Sequence, residues 1–202
     1  MEARNNKRLV EIILTALLMP VVPAHAQQQS VASARPETAT TAAMQITSDG
    51  FKANALMPSR FSGYAEGRSP PLHWTAFAGA RSYMLIVEDP DAHPATVIHW
   101  VIWNIPGDVT SLPEGLQQNA RVSDPDGALQ GLNSHKLVGY AGPHPPGGDS
   151  AHHYHFQIFA LDRTLDVAPG DSRDKVLAAA AGHVLAKGEL IGLYAKNSQE
   201  QK

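Results

Sequence analysis

The sequence predicts a mainly β domain, built as a sandwich of sheets with peripheral helices. Short apolar runs rich in branched and aromatic residues are punctuated by 16 glycines and 15 prolines. Only one segment has a convincing helical pattern, and it lies late in the chain. From Ile46 to Lys196 no second linker interrupts the sequence, and roughly 150 residues make one ordinary domain. Many short strands and one helix in a domain of that size favour a sandwich.

Four segments are predicted to be buried strands, because branched and aromatic side chains suit a pleated, covered surface. They are residues 81–89, 97–105, 152–161 and 189–195. The helix is expected over RDKVLAAAAGHVLAK, residues 173–187, with Asp171 or Ser172 as its cap and Gly188 as its end.

Residues 1–26 have the pattern of a cleavable secretory signal: a basic start, a short apolar run and a small-x-small end. The three parts are Arg4, Lys7 and Arg8, then residues 12–22, then Ala24-His25-Ala26. The apolar run is shorter than the roughly 20 residues that cross a bilayer. We therefore expect a periplasmic or secreted mature protein that starts at Gln27 and has no integral membrane segment.

The remaining chain divides into three parts. Residues 27–44 are rich in Gln, Ser, Thr and Ala without apolar periodicity, so they are predicted to be a flexible spacer. Residues 45–197 form the domain, and residues 198–202 a disordered tail. Loss of the signal changes the net charge from −3 to −4, since three basic and two acidic residues leave with it. A mildly acidic surface argues against nucleic-acid binding. With no cysteine, disulfides and thiol nucleophiles are excluded.

The stretch HHYHFQIFAL, residues 152–161, places its histidines on both faces of a strand. Because alternate side chains point to opposite faces, His152 and Tyr154 share one face and His153 and His155 the other. The first face becomes apolar along the strand, which suggests a pocket mouth over the core, and the second is polar enough to face water. The second pair could bind a transition metal, but zinc needs a third protein ligand. The sequence therefore predicts no metal site and no cofactor.

His99 stands alone in an apolar strand, and a buried imidazole needs hydrogen-bond partners. It is either a satisfied core histidine or part of a site. Asp89 and Asp91 bracket Pro90 one loop earlier, either as a plain turn or as carboxylates that fix an imidazole tautomer. The Gly/Pro loop at residues 139–149 opens onto the histidine strand. It is either a rigid connection or a nest of N–H groups for an anion.

Taken together, six ordered motifs resemble the phosphatidylethanolamine-binding protein family, and more closely its bacterial Raf kinase inhibitor-like branch. The motifs are SPPLHW (69–74), DPDAHP (89–94), HWVIWNIP (99–106), QGLN (130–133), GYAGPHPPGG (139–148) and HHYHFQIFALD (152–162). They cover nearly the whole mature domain.

The resemblance implies a larger and a smaller sheet with an anion pocket at one end. The ligand would be a small phosphate-like anion or a phosphorylated lipid head group, and the family branch adds an unidentified protein target. The residues implied for this site are Asp89, Asp91, His99, Tyr140, Gly142, Pro143, Gly147, His152 and Tyr154. The expected function is binding without catalysis. The alternative is a hydrolase or metal-dependent enzyme that uses the His/Asp cluster, for which the chain lacks a nucleophile turn such as G-x-S-x-G.

The chain departs from the family pattern at three places. His93 is inserted before Pro94, His153 stands where an arginine is common, and Ser134-His135-Lys136 replaces an acidic-aromatic-glycine trio. The change at His153 removes a fixed positive charge and is expected to weaken anion affinity at neutral pH.

Overall fold

The computed structural model describes residues 30–196 as two antiparallel sheets, which confirms the mainly β sandwich. The predicted signal and the predicted tail at 198–202 lie outside the described residues. The small sheet consists of β1 (Ile46–Thr47), β2 (Leu72–Trp74) and β5 (Ser111–Leu112), in that order. The large sheet has the spatial order β6 (Arg121–Ser123), β7 (Asp126–Gln130), β4 (Val97–Pro106), β3 (Ser82–Asp89), β8 (His152–Leu161) and β9 (Val184–Tyr194).

Both faces of the large sheet are buried. One face packs towards the small sheet through a core that contains Trp100, Phe156 and Leu72. The other face carries Trp103 and Phe159 and packs under α1 (Arg173–Ala180). Three short 3-10 turns complete the described structure: Ala32–Ala34, Pro36–Thr38 and Ser59–Phe61. Within residues 30–196, no helix has the length and apolar character needed to span a membrane.

The helix is shorter than the sequence predicts. It ends at Ala180, two residues before Gly182, whose φ of 79° lies in the left-handed region that ends helices. The chain then enters β9 at Val184 instead of 189, because pairing along the full length of β8 satisfies the backbone better than a helix on this edge could. Gly188 is therefore an interior strand residue. A Cβ there would lie 2.4 Å from the Met44 carbonyl oxygen, so only glycine lets the two segments cross.

Residues 30–44 form an ordered N-terminal strap, which corrects the prediction of a flexible spacer for this part of the chain. The Ala32 amide donates to Glu88 Oε2 at 2.6 Å, and the Ser33 amide donates to Gln157 Oε1 at 2.5 Å. The side chains of Ala32 and Thr38 are fully buried. The strap is held by hydrogen bonds to buried acceptors in other parts of the chain. The composition of residues 30–44 alone therefore could not predict that they are ordered.

The strap and α1 meet at one buried carboxylate. Glu88 pairs with the buried Arg173 guanidinium and also accepts a hydrogen bond from Gln157 Nε2 at 2.8 Å. This cluster corrects the expectation that the His153 face of β8 meets water along its length. Only the His153 end does, while Gln157 and Phe159 are fully covered.

Replacing Glu88 by Gln should lower the free energy of unfolding by about 3 kcal/mol, because Arg173 then loses its buried carboxylate partner. Denaturant unfolding measures the change. Lys175→Gln is the matched control, since Lys175 pairs with Asp171 from an exposed position on the same helix. An exposed pair is worth at most about 1 kcal/mol. Equal losses in the two variants would contradict an anchoring role for Glu88.

Candidate functional site

A cavity of about 260 Å³ opens where β3 ends, β4 begins and β8 begins. Its lining combines imidazoles and carboxylates with a few apolar side chains. The lining residues are Asp89, Asp91, Ala92, His93, Val97, His99, His135, His144, Pro145, Pro146, Asp149 and His152. Four of the residues predicted from the sequence therefore meet here: Asp89, Asp91, His99 and His152.

The floor of the cavity is a buried His–Asp pair. His152 Nδ1 lies 2.8 Å from Asp89 Oδ2, and both side chains are almost completely covered. The other oxygen, Asp89 Oδ1, accepts from the amides of Asp91 and Ala92 at 2.9 and 3.2 Å. Since a carboxylate only accepts, His152 Nδ1 carries the proton, and its Nε2 is left for the cavity. That Nε2 has Asp149 Oδ2 at 3.6 Å, too far for a hydrogen bond.

His99 reaches the cavity because of a β-bulge. Along the β3–β4 ladder Val87 pairs with Trp100 and Glu88 with Ile98, so His99 is the extra residue. A bulge re-aims a side chain at the end of a strand, which simple alternation cannot predict. Two hydrogen bonds join His99 to the Ala141 residue. The His99 carbonyl accepts from the Ala141 amide at 2.8 Å, and His99 Nδ1 donates to the Ala141 carbonyl at 2.7 Å.

Burial lowers the pKa of His99 to about 4, despite the opposing effects of the Ala141 carbonyl and the nearby Asp89. At neutral pH the ring is therefore uncharged. With the Nδ1 proton committed to Ala141, His99 Nε2 is an unprotonated acceptor. It has no hydrogen-bond partner among residues 30–196.

Tyr154 and Tyr140 lie behind the lining and are not part of it. The Tyr154 ring packs edge-on against His99 with centroids 5.1 Å apart, and its buried hydroxyl lies near Asp89. The Tyr140 hydroxyl donates to the Phe61 carbonyl at 3.0 Å. Burial raises the pKa of both tyrosines, so both hydroxyls stay protonated donors.

The Gly/Pro loop contributes side chains to the cavity where the sequence suggested backbone N–H groups. Gly142 and Pro143 pack against residues 61–63, where a Cβ on Gly142 would lie 2.5 Å from the Phe61 carbonyl oxygen. Neither they nor Gly147 line the cavity. The loop lines it with His144, Pro145 and Pro146. The two prolines have no N–H to offer an anion, so this part of the loop contributes a wall of side chains.

One ring of that wall is stacked in place. The His144 imidazole lies on the Tyr64 ring with centroids 3.8 Å apart, and the Tyr64 hydroxyl donates to the Pro145 carbonyl at 2.6 Å. Tyr64 thus fixes the loop at both residues.

The opposite face of β8 is not independent of the cavity. The ring and amide nitrogens of His153 donate to Asp91 Oδ2 at 2.7 and 2.8 Å, and Asp91 lines the cavity. Burial raises the pKa of Asp91, but the hydrogen bonds from His153 outweigh it and keep the pKa below its usual value. His155 instead pairs with Glu189 at 3.0 Å, away from the cavity.

Sequence reasoning missed four of the polar residues in the lining: His93, His135, His144 and Asp149. His93 and His135 are among the departures from the family pattern, and His144 lies inside the Gly/Pro loop. These positions in the recognised motifs were the sequence signal that could have identified them. Within the part of the chain that the structure describes, no group of three or more His, Cys, Asp or Glu side chains is placed to hold a metal ion.

Fold and site together define a two-sheet β-sandwich with a His/Asp-lined cavity at the end of its large sheet. The family model for phosphatidylethanolamine-binding protein matches residues 47–195. The chain belongs to the phosphatidylethanolamine-binding protein family.

Relatives and solved structures agree with this assignment. A UPF0098 protein of Methanothermobacter thermautotrophicus is 45% identical over 152 residues, which cover 75% of this chain and 98% of the relative. A crystal structure of a phosphatidylethanolamine-binding protein homologue from Chlamydia trachomatis matches with a TM-score of 0.69 and 38% identity over 77% of this chain and 99% of the other. E. coli YbcL, described as a member of the mammalian family, matches with a TM-score of 0.72 and 30% identity over 77% and 100%.

The low pKa of His99 makes the free energy of unfolding depend on pH. The unfolded imidazole, with its ordinary value of 6.5, binds a proton more readily than the folded one at about 4. The contribution is therefore complete above about pH 6.5 and is lost as the pH falls towards 4, by up to about 3 kcal/mol. The His99→Asn variant keeps a donor for the Ala141 carbonyl and removes the contribution of His99 protonation to the free energy of unfolding. Denaturant unfolding of both proteins between pH 7 and 4 should show converging stabilities, and parallel curves would contradict a buried neutral ring.

Proposed function

We propose that the protein binds a small phosphate-like anion or a phosphorylated head group in the cavity, with His152 as its main contact. The observation that carries the proposal is the buried His152–Asp89 pair on the cavity floor. Asp89 accepts hydrogen bonds from the amides of Asp91 and Ala92 and from His152, so its oxygens are engaged in contacts that hold the site together. The pair fixes the ring with Nδ1 towards Asp89 and leaves Nε2 for the cavity, where the imidazolium form would donate to an anion.

An imidazolium at this place suits an anion in spite of the nearby aspartates. A charge-assisted N–H donor on a largely buried side chain is stronger than one in water. The Asp149 carboxylate already approaches His152 Nε2 from an exposed loop, which supports an attraction for negative oxygen at this point. A bound anion would take the place of this carboxylate.

Export is the second part of the proposal. The basic start, apolar run and small-x-small end of residues 1–26 support a secretory signal. The absence of cysteine from the chain fits a protein that passes through either redox compartment unchanged.

Inorganic phosphate and phosphorylethanolamine should bind the wild-type protein, and His152→Ala should weaken the binding more than tenfold. Loss of a hydrogen bond to a charged group costs about 1.5–3 kcal/mol. Asp149→Asn should strengthen binding, because it removes the competing carboxylate. Calorimetric titration measures all of these.

The matched control is His183→Ala, which removes a half-buried histidine paired with Asp162 at 2.9 Å, away from the cavity. Equal affinities of His152→Ala and wild type would contradict the proposal. The same samples test the hydrolase alternative, because an enzyme would release phosphate from phosphorylethanolamine with time. Release that disappears in His152→Ala would favour the enzyme.

Mass spectrometry of the protein recovered from the exported fraction should give a mature N-terminus at Gln27. An Ala26→Arg variant places a bulky charge at the small residue before the cleavage point and should block processing. Lys175→Gln, far along the chain, is the control. A mature chain that keeps residues 12–22 would refute the signal assignment.

A further inference from the structure

We infer that His99 makes the cavity selective for oxyanions that carry a proton, namely inorganic phosphate and phosphomonoester monoanions, over sulfate and phosphodiesters. The inference rests on the proposed function and specifies its ligand class. Its basis is the pair of backbone contacts between His99 and Ala141, which leave an unprotonated nitrogen at the cavity.

The tautomer of His99 follows from its partner. A backbone carbonyl only accepts, so the proton of the neutral ring must lie on Nδ1, 2.7 Å from the Ala141 oxygen. Nε2, on the far side of the ring, keeps its lone pair. Turning the ring over would break this Nδ1 hydrogen bond, and the Ala141 amide, which donates to the His99 carbonyl, holds the acceptor peptide in place.

The surroundings keep this nitrogen unprotonated. His99 is 3% exposed, and desolvation opposes a positive charge on it. The charged and titratable groups that act on the ring are Asp89, His135 and His152. Asp89 favours protonation, but its oxygens are already occupied by three donors, and the two histidines disfavour it.

A ligand must therefore present a donor to His99 Nε2 and negative oxygens to the imidazolium form of His152. Dihydrogen phosphate, hydrogen phosphate and a phosphomonoester monoanion carry both a hydroxyl and negative oxygens. Sulfate near neutral pH and a phosphodiester carry only acceptors. One of their oxygens would face the His99 lone pair, and this cost is the same whether His152 is charged or neutral.

The selectivity separates the two sources of a phosphate ligand. Inorganic phosphate and methyl phosphate represent free anions and monoester head groups. Dimethyl phosphate represents the diester of an intact phospholipid, and sulfate is matched to phosphate in size. In calorimetric titrations of the full-length protein at about pH 6.5, phosphate and methyl phosphate should bind at least about tenfold more tightly than sulfate and dimethyl phosphate.

The variant His99→Asn should bring the phosphate-to-sulfate affinity ratio close to one. Asparagine Nδ2 can still donate to the Ala141 carbonyl, but nothing replaces Nε2. His183→Asn makes the same substitution at the half-buried histidine of another His–Asp pair and should keep the wild-type ratio. A wild-type ratio retained by His99→Asn would overturn the role of His99.

Nuclear magnetic resonance tests the tautomer without any ligand and without a variant. Long-range proton–nitrogen spectra of the wild-type protein labelled in its histidines should report His99 as the Nδ1–H form at neutral pH, with an unprotonated Nε2. The Nε2–H form would overturn the inference. Equal wild-type affinities for phosphate and sulfate would overturn the selectivity and leave the proposed function standing. Failure of all four anions to bind would overturn both.

Discussion

The site depends on one carboxylate. Asp89 ends β3, accepts two backbone amides of the following turn and accepts the ring of His152 from the neighbouring strand. A buried carboxylate is tolerated only with such a complete set of donors. The three contacts join the end of one strand, the start of another and the loop between β3 and β4. These contacts fix the position and the tautomer of His152, and so they define the floor of the cavity.

Glu88, the residue before Asp89, likewise joins several elements by hydrogen bonds, but on the other face of the sheet. Glu88 receives the strap, Gln157 and Arg173 of α1, so two consecutive acids organise the two sides of β3. Because neighbouring side chains of a strand point to opposite faces, one short segment fixes both the site and the covering of the large sheet. The hydrogen bonds of both carboxylates are made to other residues of the protein. We therefore expect the histidines to make the main contacts with a ligand.

Periodicity predicted the fold class and part of the site, and its failures have identifiable causes. The period of two correctly separated His152 and Tyr154 from His153 and His155, since β8 is a regular strand. The bulge at His99 and the strand pairing that shortens the helix at Ala180 are decided by neighbouring strands. The strap depends on the acceptors Glu88 and Gln157, more than 50 and 120 residues away in sequence. Such long-range partners cannot be read from a local segment.

The chemistry of the cavity also differs from what counting its histidines suggests. The cavity is lined by five imidazoles, and a sequence does not reveal which nitrogen of each carries a proton. A backbone carbonyl fixes the Nδ1 proton of His99 and leaves its Nε2 as an acceptor, whereas Asp89 fixes the Nδ1 proton of His152, whose imidazolium form would donate from Nε2. A neutral His99 and an imidazolium at His152 would thus offer opposite halves of a hydrogen-bond pattern. A cavity rich in histidine is for this reason not simply a positive cavity, and its ligand is defined by the order of donors and acceptors more than by net charge.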